Sequence, residues 1–270
     1  MPENDTLFTG SIPENYDRYM VPLIFQPYAD AVAGRVAAWT PKAVLETAAG
    51  SGVVTRALAP VLPADAQYVV TDLNAPMLDQ AAARQGADAR IQWRQADACA
   101  LPFADAAFDV VVCQFGVMFF PDRIKGYAEA RRVLKPGGRF LFSVWDRIAD
   151  NGFADAVTKG LAEVFPDDPP RFLARTPHGY HEVAVIRQEL ETAGFSGIGI
   201  ETQSHESRAA SARIVALAFC HGTVLRSEIE ARGEGMLATA TDHVTAAIAE
   251  QYGAGEVSAK IQAHIVSAVA

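Results

Sequence analysis

The chain has 270 residues, of which 50% are hydrophobic and 20% are charged, which is the balance of a globular protein with one sizeable core. Its formal net charge of −9 argues against nucleic acid as a main partner, because phosphate binding depends on clustered lysine and arginine. Met1–Gly10 does not resemble a signal peptide, no apolar run is long enough for a membrane span, and three cysteines without CxxC spacing favour a cytoplasmic protein with free thiols.

An N-terminal arm, residues 1–40, precedes the first predicted strand. Tyr16 and Tyr19 lie three positions apart, so a helical turn would place both rings on one side. The rings either pack on the core or form a lid over a binding crevice, and the sequence favours neither interpretation. Helical periodicity from Ile24 to Trp39 predicts a helix that leads into the first strand.

The segment Ala43–Gly52, AVLETAAGSG, predicts a short buried strand, an acidic residue at its end, a turn of small residues and the start of a helix. That helix is predicted over Val53–Leu62. In an open parallel sheet the turn after the first strand opens into the ligand crevice, and small residues let a ligand approach the backbone. Taken alone, the segment also fits a tight turn between a strand and a helix with a solvated glutamate, although its pattern favours this interpretation less.

Two further predicted strands also end in an acid. Gln67–Asp72 is apolar before its aspartate, and Ile91–Asp97 alternates as a strand does. Asp72 lies 26 positions after Glu46 (72 − 46), which is enough for a βαβ unit, and an acid there can accept hydrogen bonds from ribose hydroxyls. Each acid alone is typical of a helix cap or a solvated turn, but three at matching strand ends favour a nucleoside ligand.

The strongest predicted strand is Phe108–Phe115, whose consecutive valines indicate the buried centre of the sheet. A helix over Ile124–Leu134, a sharp turn at Lys135–Gly138 and a fifth strand over Arg139–Trp145 follow. Because acid-ended strands alternate with helices, the sequence predicts a doubly wound α/β sheet.

The second half begins with a helix over Asn151–Phe165 and a long proline-rich loop, Pro166–Glu182. His178, Tyr180 and His181 in this loop are candidates for substrate contact, with a histidine as the base, or they are ordinary surface residues. The histidine spacing is not specific for a metal, and we expect no metal site.

The remaining predicted elements alternate between helix and strand: a helix over Glu182–Ala193, a strand over Ile198–Ser204, helices over Arg213–Arg232 and Met236–Tyr252, and a last strand over Glu256–Val266.

These residues resemble the class I S-adenosylmethionine-dependent methyltransferases, specifically the ubiquinone/menaquinone-biosynthesis-like group of small-molecule enzymes. The family's first motif, an acid followed by a glycine-rich turn, stands here as Glu46-Thr47-Ala48-Ala49-Gly50-Ser51-Gly52. The resemblance covers residues 40–146 and rests on five motifs in the family's order. The cofactor-binding residues expected for S-adenosylmethionine are Glu46, Thr47, Ala48, Gly50, Gly52, Asp72, Leu73, Met77, Asp97, Ala98, Gln114, Phe115 and, on the arm, Tyr16 and Tyr19.

The resemblance assigns parts of the cofactor to the later motifs. Asp72 with Leu73 matches the ribose-binding acid, and Asp97 with Ala98 matches the pair that holds the adenine. Gln114 and Phe115 match positions at the methionine end, and LKPGGRFLFSVWD matches the segment leading into the fifth strand. The chain departs from the family where Ala48 replaces the first glycine of the turn, because alanine disfavours positive φ.

The implied fold is a seven-stranded, mostly parallel, Rossmann-like sheet in a single methyltransferase domain with a helical cap inserted near the C-terminus. The cofactor core is expected at 41–146, substrate-cap insertions at 147–182 and 207–252, and the rest of the core at 183–206 and 253–270. The family usually joins its last two strands as a hairpin, so the second insertion forms either a substrate cap or a dimerisation or packing element.

The implied activity is in-line SN2 transfer of a methyl group to a small, apolar or aromatic acceptor. Such an enzyme mainly aligns its reactants and excludes water, so no catalytic triad is expected. One alternative is an NAD(P)-dependent oxidoreductase, although the turn lacks GxGxxG spacing. Another is a non-catalytic protein that binds S-adenosylmethionine. The sequence leaves open whether the chain forms a homodimer.

Overall fold

The structure is a computed structural model that describes residue 5 and residues 10–270. Most of the polar segment Met1–Gly10 therefore lies outside the described residues. None of the helices in the described part is long and apolar enough to cross a membrane.

Strands and helices alternate through the first half of the described chain. The strands are β1 Ala43–Glu46, β2 Gln67–Asp72, β3 Ile91–Gln95, β4 Phe108–Gln114, β5 Leu134–Trp145, β6 Ser196–Ala209 and β7 Val257–Val269. The α-helices are α1 Ile12–Asn15, α2 Gln26–Trp39, α3 Val53–Leu58, α4 Ala75–Gln85, α5 Arg123–Val133, α6 Gly152–Val164, α7 Phe172–Arg175, α8 Val183–Thr192, α9 Ala212–Gly222, α10 Leu225–Glu230 and α11 Met236–Tyr252. A π-helical segment, Tyr16–Phe25, joins α1 to α2.

The seven strands form one sheet in the order β3-β2-β1-β4-β5-β7-β6. β1 pairs in parallel with β2 and β4, β2 with β3, and β4 with β5. Every residue of β1 is buried, which is why its sequence is a short apolar run without alternation. The predicted Rossmann-like sheet is confirmed, and β1 and β4 are neighbours at its centre.

The predicted turn at Lys135–Gly138 is wrong, because these residues are a bulge within β5. The parallel register advances from Phe108 opposite Leu134 directly to Val110 opposite Arg139, so β5 carries extra residues between the two pairs. Gly137 takes a φ of 77°, which a side chain would disfavour. The proline–glycine pair does bend the chain here, but the pairing of β5 with β4 continues after the bend.

Several other boundaries differ from the prediction. The helix predicted over Val53–Leu62 ends at Leu58, and a 3₁₀ turn over Ala59–Val61 follows it. Asp97 lies two residues beyond β3 rather than at its end. The helix predicted over Arg213–Arg232 is two helices, because the backbone leaves the helical conformation at Thr223, with φ −133° and ψ 174°. The loop Pro166–Glu182 contains α7. The last two strands are also longer than predicted.

The chain divides into two compact units. The first, called the sheet unit, comprises Gln26–Val144, His181–Gln203 and His264–Ala270. The second, called the helical unit, comprises Met1–Phe25, Trp145–Tyr180 and Ser204–Ala263. The predicted roles of arm, core and substrate cap stay predictions.

The helical unit has its own apolar core. Within it α9 packs against α6, α11 and the π-helical segment, and α6 packs against α11. Leu161, Val215 and Val244 are completely buried there. Of these helices, α9 and α11 lie with α10 between β6 and β7, where the sequence predicts an insertion, and α6 lies between β5 and β6.

The three cysteines are free and buried. Cys99 and Cys113 belong to the sheet unit and Cys220 to the helical unit. Burial raises the pKa of the Cys113 thiol to about 12 and has the same effect on Cys220, also to about 12.

Candidate functional site

The turn after β1 brings three left-handed residues together. Ala48, Gly50 and Gly52 have φ values of 53°, 56° and 79°. The Thr47 N–H donates to the Val112 carbonyl at 2.9 Å, which ties the start of the turn to β4. The turn therefore has the backbone that its glycine-like sequence predicts, and Ala48 adopts it despite its methyl group.

Gly116 makes room for the methyl group of Ala48. A Cβ atom built on Gly116 would lie 2.5 Å from the Ala48 Cβ and 2.6 Å from the Cys113 Sγ. The sequence analysis missed this residue, because the contact joins two turns that lie far apart in the chain. Alanine is thus accommodated in the first turn because the facing position after β4 has no side chain.

Replacing Gly116 by alanine is expected to lower the free energy of unfolding by about 1–3 kcal/mol through overpacking. Urea denaturation measures the loss. The matched control is Gly34→Ala in α2, where a Cβ would meet nothing within 4 Å and helix propensity favours alanine. Combining Gly116→Ala with Ala48→Gly should restore part of the stability, and a double variant no better than Gly116→Ala would contradict the assigned contact.

Asp72 fixes the turn from the end of β2. Its Oδ2 accepts the Gly50 N–H at 2.8 Å, and its Oδ1 accepts the Asn74 N–H at 2.7 Å. The side chain is buried, and burial raises its pKa although these hydrogen bonds act in the opposite direction. The Asn74 side-chain N–H also donates to Oδ1 at 3.5 Å, so protein donors occupy most of the about four acceptor positions of this carboxylate. The predicted ribose acid and the predicted turn are therefore one connected structure.

Glu46 lies under the turn and is bound by protein donors. The Thr55 hydroxyl donates to its Oε2 at 2.7 Å, and the Tyr68 hydroxyl donates to the same oxygen. The residue is only 1% exposed, and burial raises the pKa of its carboxyl group to about 7, although both hydrogen bonds act to lower it. Glu46 thus joins β1 to α3 and β2, and its predicted contact with the cofactor stays a prediction.

Two more of the expected cofactor-binding residues, Leu73 and Met77, follow β2. Leu73 is 50% exposed, whereas Met77 is buried behind Gly50. The Gln95 side chain, which the sequence analysis missed, donates to the Leu73 carbonyl at 2.8 Å. Leu73 is therefore a large apolar side chain held open to solvent directly after the ribose acid.

Asp97 and Ala98 lie in the loop after β3. The Asp97 Oδ1 accepts the Cys99 N–H at 2.8 Å, which forms a local turn. Asp97 is exposed and Ala98 half-buried. Both are accessible, as the predicted adenine contact requires.

Gln114 and Phe115 end β4 beside the turn. Phe115 has a φ of 51°, unusual for an aromatic residue, and its N–H donates to the Ser143 carbonyl at 3.0 Å. Its ring meets the Tyr28 ring edge to face, with centroids 5.3 Å apart. Strain of this kind in a non-glycine residue often marks a functional site.

The remaining candidates divide between the two units. Tyr16 and Tyr19 belong to the helical unit, where Tyr16 stacks on Phe25 with centroids 5.1 Å apart. His181 belongs to the sheet unit and lies 3.2 Å from the Glu182 carboxylate. His178 belongs to the helical unit.

His178 lies in a small recess of the helical unit with Trp145, Phe153 and Phe219. Its Nδ1 is 2.8 Å from the Asp146 carbonyl oxygen. The cavity volume is about 10 Å³, which is room for about one water molecule. Tyr180, in the same unit, is also buried. In this conformation the recess does not admit an aromatic acceptor.

Comparison with known proteins adds to this geometry. The family profile Methyltransf_11, described as a methyltransferase domain, matches residues 45–142. The ubiquinone/menaquinone biosynthesis C-methyltransferase UbiE of Dinoroseobacter shibae is 30% identical over 183 residues, which cover 63% of this chain and 73% of that protein. The demethylmenaquinone methyltransferase of Deinococcus radiodurans is 39% identical over 112 residues, which cover 41% of this chain and 46% of that protein.

Solved structures show the same fold. The Haemonchus contortus phosphoethanolamine N-methyltransferase 2, in complex with S-adenosyl-L-methionine, aligns with a TM-score of 0.63 and 21% identity over 100% of this chain and 60% of that chain. The YcgJ protein of Bacillus subtilis aligns with a TM-score of 0.54 and 18% identity over 88% of this chain and 97% of that chain.

Proposed function

Since this chain belongs to the class I S-adenosylmethionine-dependent methyltransferases of the ubiquinone and menaquinone biosynthesis type, we propose that its acceptor is a small apolar molecule with an aromatic or quinone-type ring. The names of the Dinoroseobacter and Deinococcus relatives support this acceptor class. The observation that carries the proposed cofactor site is the hydrogen bond that the Gly50 N–H donates to Asp72, because it connects two of the motifs expected to hold a nucleoside.

The chain is an enzyme that transfers a methyl group from S-adenosylmethionine. The comparisons give no support to an oxidoreductase or to a non-catalytic binding protein. When bound, the cofactor supplies a methyl group on a positively charged sulfur, which is already an excellent leaving group. The protein's contribution is therefore to bind and orient the reactants and to keep water away.

The residues after β2 are suited to the nucleoside part of this cofactor. We assign the ribose hydroxyls to Asp72, because its carboxylate stands at the end of β2 beside the turn, where an acid can accept hydrogen bonds from a ribose. Leu73 is assigned to the adenine face, since its exposed apolar side chain follows that acid directly. Asp97 is assigned to the adenine amino group as an exposed acceptor.

The turn Glu46–Gly52 is assigned to the methionine end with Gln114 and Phe115. Left-handed Ala48 and Gly50 place backbone rather than side chains at the surface of the turn, and this allows close approach of a ligand. Ser51 supports the fit, because its buried hydroxyl has no hydrogen-bond partner among the described residues.

A thermal-shift series with S-adenosylhomocysteine, S-adenosylmethionine, NAD and NADP tests the cofactor site. A ligand at 100 times its dissociation constant stabilises the folded protein by about 2.7 kcal/mol. We expect this to raise the unfolding temperature by about 5–10 °C with the two adenosylated sulfur compounds and by nothing measurable with NAD or NADP. A shift with NAD alone would overturn the assignment.

Mass spectrometry of reaction mixtures tests the acceptor class. Hydroquinones and naphthoquinols are expected to gain one methyl group in the presence of S-adenosylmethionine, whereas aliphatic amines of similar size are not. Methylated amines with unmodified quinols would disprove the acceptor class and leave the cofactor assignment intact.

A further inference from the structure

A second recess, called the basal recess, lies at the edge of the sheet where β1, β4 and β5 begin. It is lined by Trp39, Lys42, Asp109, Lys135 and Arg139, and its cavity volume is about 410 Å³. This volume lies in the range of small-molecule sites. Open parallel sheets bind their cofactor at the opposite edge, beyond the carboxyl ends of the strands, so the basal recess is not part of the cofactor site.

Among the described residues that line the basal recess, Asp109 is the single acid, and protein donors neutralise it. Asp109 Oδ1 lies 2.7 Å from the Lys135 Nζ, and its Oδ2 accepts the N–H groups of Lys42 and Ala43 at 2.9 and 2.8 Å. Burial acts to raise the pKa of Asp109, but these partners outweigh it and hold the pKa below its usual value. The charges of Asp109 and Lys135 thus cancel, and the remaining charge of the basal recess is positive.

That remaining charge comes from Arg139 and Lys42. The Arg139 guanidinium lies over the Trp39 ring, 4.7 Å from its centroid, and among the described residues it has no carboxylate partner. Lys42 has only a distant contact, 3.8 Å from Asp65, and both of those side chains are more than two-thirds exposed. A chain of net charge −9 therefore presents two cations in one concave site, of which Lys42 has a weak, exposed ion pair and Arg139 has no carboxylate partner among the described residues.

We propose that the basal recess binds a small oxyanion, the phosphate or carboxylate group of a low-molecular-weight ligand. Arginine presents planar N–H donors that match such groups in pairs, and stacking on Trp39 already restricts the side chain before binding. Lys42 supplies a second, flexible cation. This inference does not depend on the proposed acceptor or on the cofactor assignment.

Isothermal titration calorimetry tests the proposal with the full-length protein at constant ionic strength. Inorganic phosphate is the first probe and benzoate the second, so that the two sources of oxyanion are distinguished. We expect saturable binding of at least one probe with a dissociation constant on the order of 1 mM or tighter. Arg139→Gln should weaken that binding about tenfold or more, because a charge-assisted hydrogen bond is lost.

Arg35→Gln is the matched control. Arg35 is also in the sheet unit, so this substitution removes the same charge as Arg139→Gln. The Arg35 side chain pairs with Glu201 and does not line the basal recess. Equal weakening in both variants, or no saturable binding of either probe, would overturn the proposal. So would binding of a polyglutamate peptide that phosphate does not displace, since the recess would then serve a protein partner. An unchanged unfolding temperature of Arg139→Gln shows that the variant is folded.

Discussion

Asp72→Ala is expected to weaken binding of S-adenosylhomocysteine by at least about tenfold, because charge-assisted hydrogen bonds to ribose hydroxyls contribute about 1.5–3 kcal/mol each. The variant also removes the acceptor for the Gly50 N–H, so the turn that faces the ligand loses one of its hydrogen bonds to β2 and keeps the one that the Ala49 N–H donates to the Thr71 carbonyl. Both changes lower the affinity for S-adenosylhomocysteine. Isothermal titration calorimetry measures the loss.

Asp79→Ala is the control for this experiment. Asp79 is an exposed acid on α4, so its removal changes the net charge equally without touching the turn. Near-normal affinity of Asp72→Ala would rule out the ribose assignment. Asp72→Asn keeps one carbonyl oxygen and should lose less affinity than the alanine variant.

The second large effect concerns Glu46 and its dependence on pH. Its pKa rises from 4.5 to about 7 on folding, mainly through burial. A raised pKa in the folded state means that the protonated form is preferred there, so the stability from this group is fully present below pH 4.5 and is lost as the pH rises through 7. At 1.36 kcal/mol per pKa unit, the loss is about 3 kcal/mol.

Glu46→Gln isolates this contribution, because the amide has the shape of the protonated acid and does not titrate. Between pH 4.5 and pH 8, the free energy of unfolding of the wild type should fall by about 3 kcal/mol relative to the variant. Urea denaturation of both proteins across this range provides the measurement. Glu191→Gln, at an exposed position on α8, should show no such trend. A difference between wild type and Glu46→Gln that is constant with pH would contradict the buried, raised-pKa carboxyl group.

Local sequence signals predicted the sheet and the left-handed turn after β1, and the cofactor contacts expected there stay predictions. The buried strands before Glu46 and Asp72 were recognisable because a short apolar run that ends in an acid is unusual in any other context. The bulge at Lys135–Gly138 was not recognisable from the sequence, because whether a strand continues past a bend depends on its partner strand. In the same way, the sequence around Glu46 does not predict that the Tyr68 and Thr55 hydroxyls donate hydrogen bonds to it.

The contact between Ala48 and Gly116 shows the same limit at the site. The sequence analysis identified alanine as a departure from the family pattern and expected a cost in positive φ. The structure confirms the left-handed backbone, but the compensating residue lies 68 positions away (116 − 48), after a different strand. Conformational cost is a local property that sequence reveals, whereas available space is a property of the folded packing.

The distribution of the buried cysteines makes them natural reporters of local opening. A thiol reagent attacks the thiolate, and burial together with a pKa of about 12 keeps Cys113 and Cys220 unreactive while their surroundings stay closed. Because one belongs to the sheet unit and the other to the helical unit, their alkylation rates under native conditions report the openings of the two units separately. The untagged chain thus carries an intrinsic probe in each unit for measuring whether a bound ligand stabilises one of them or both.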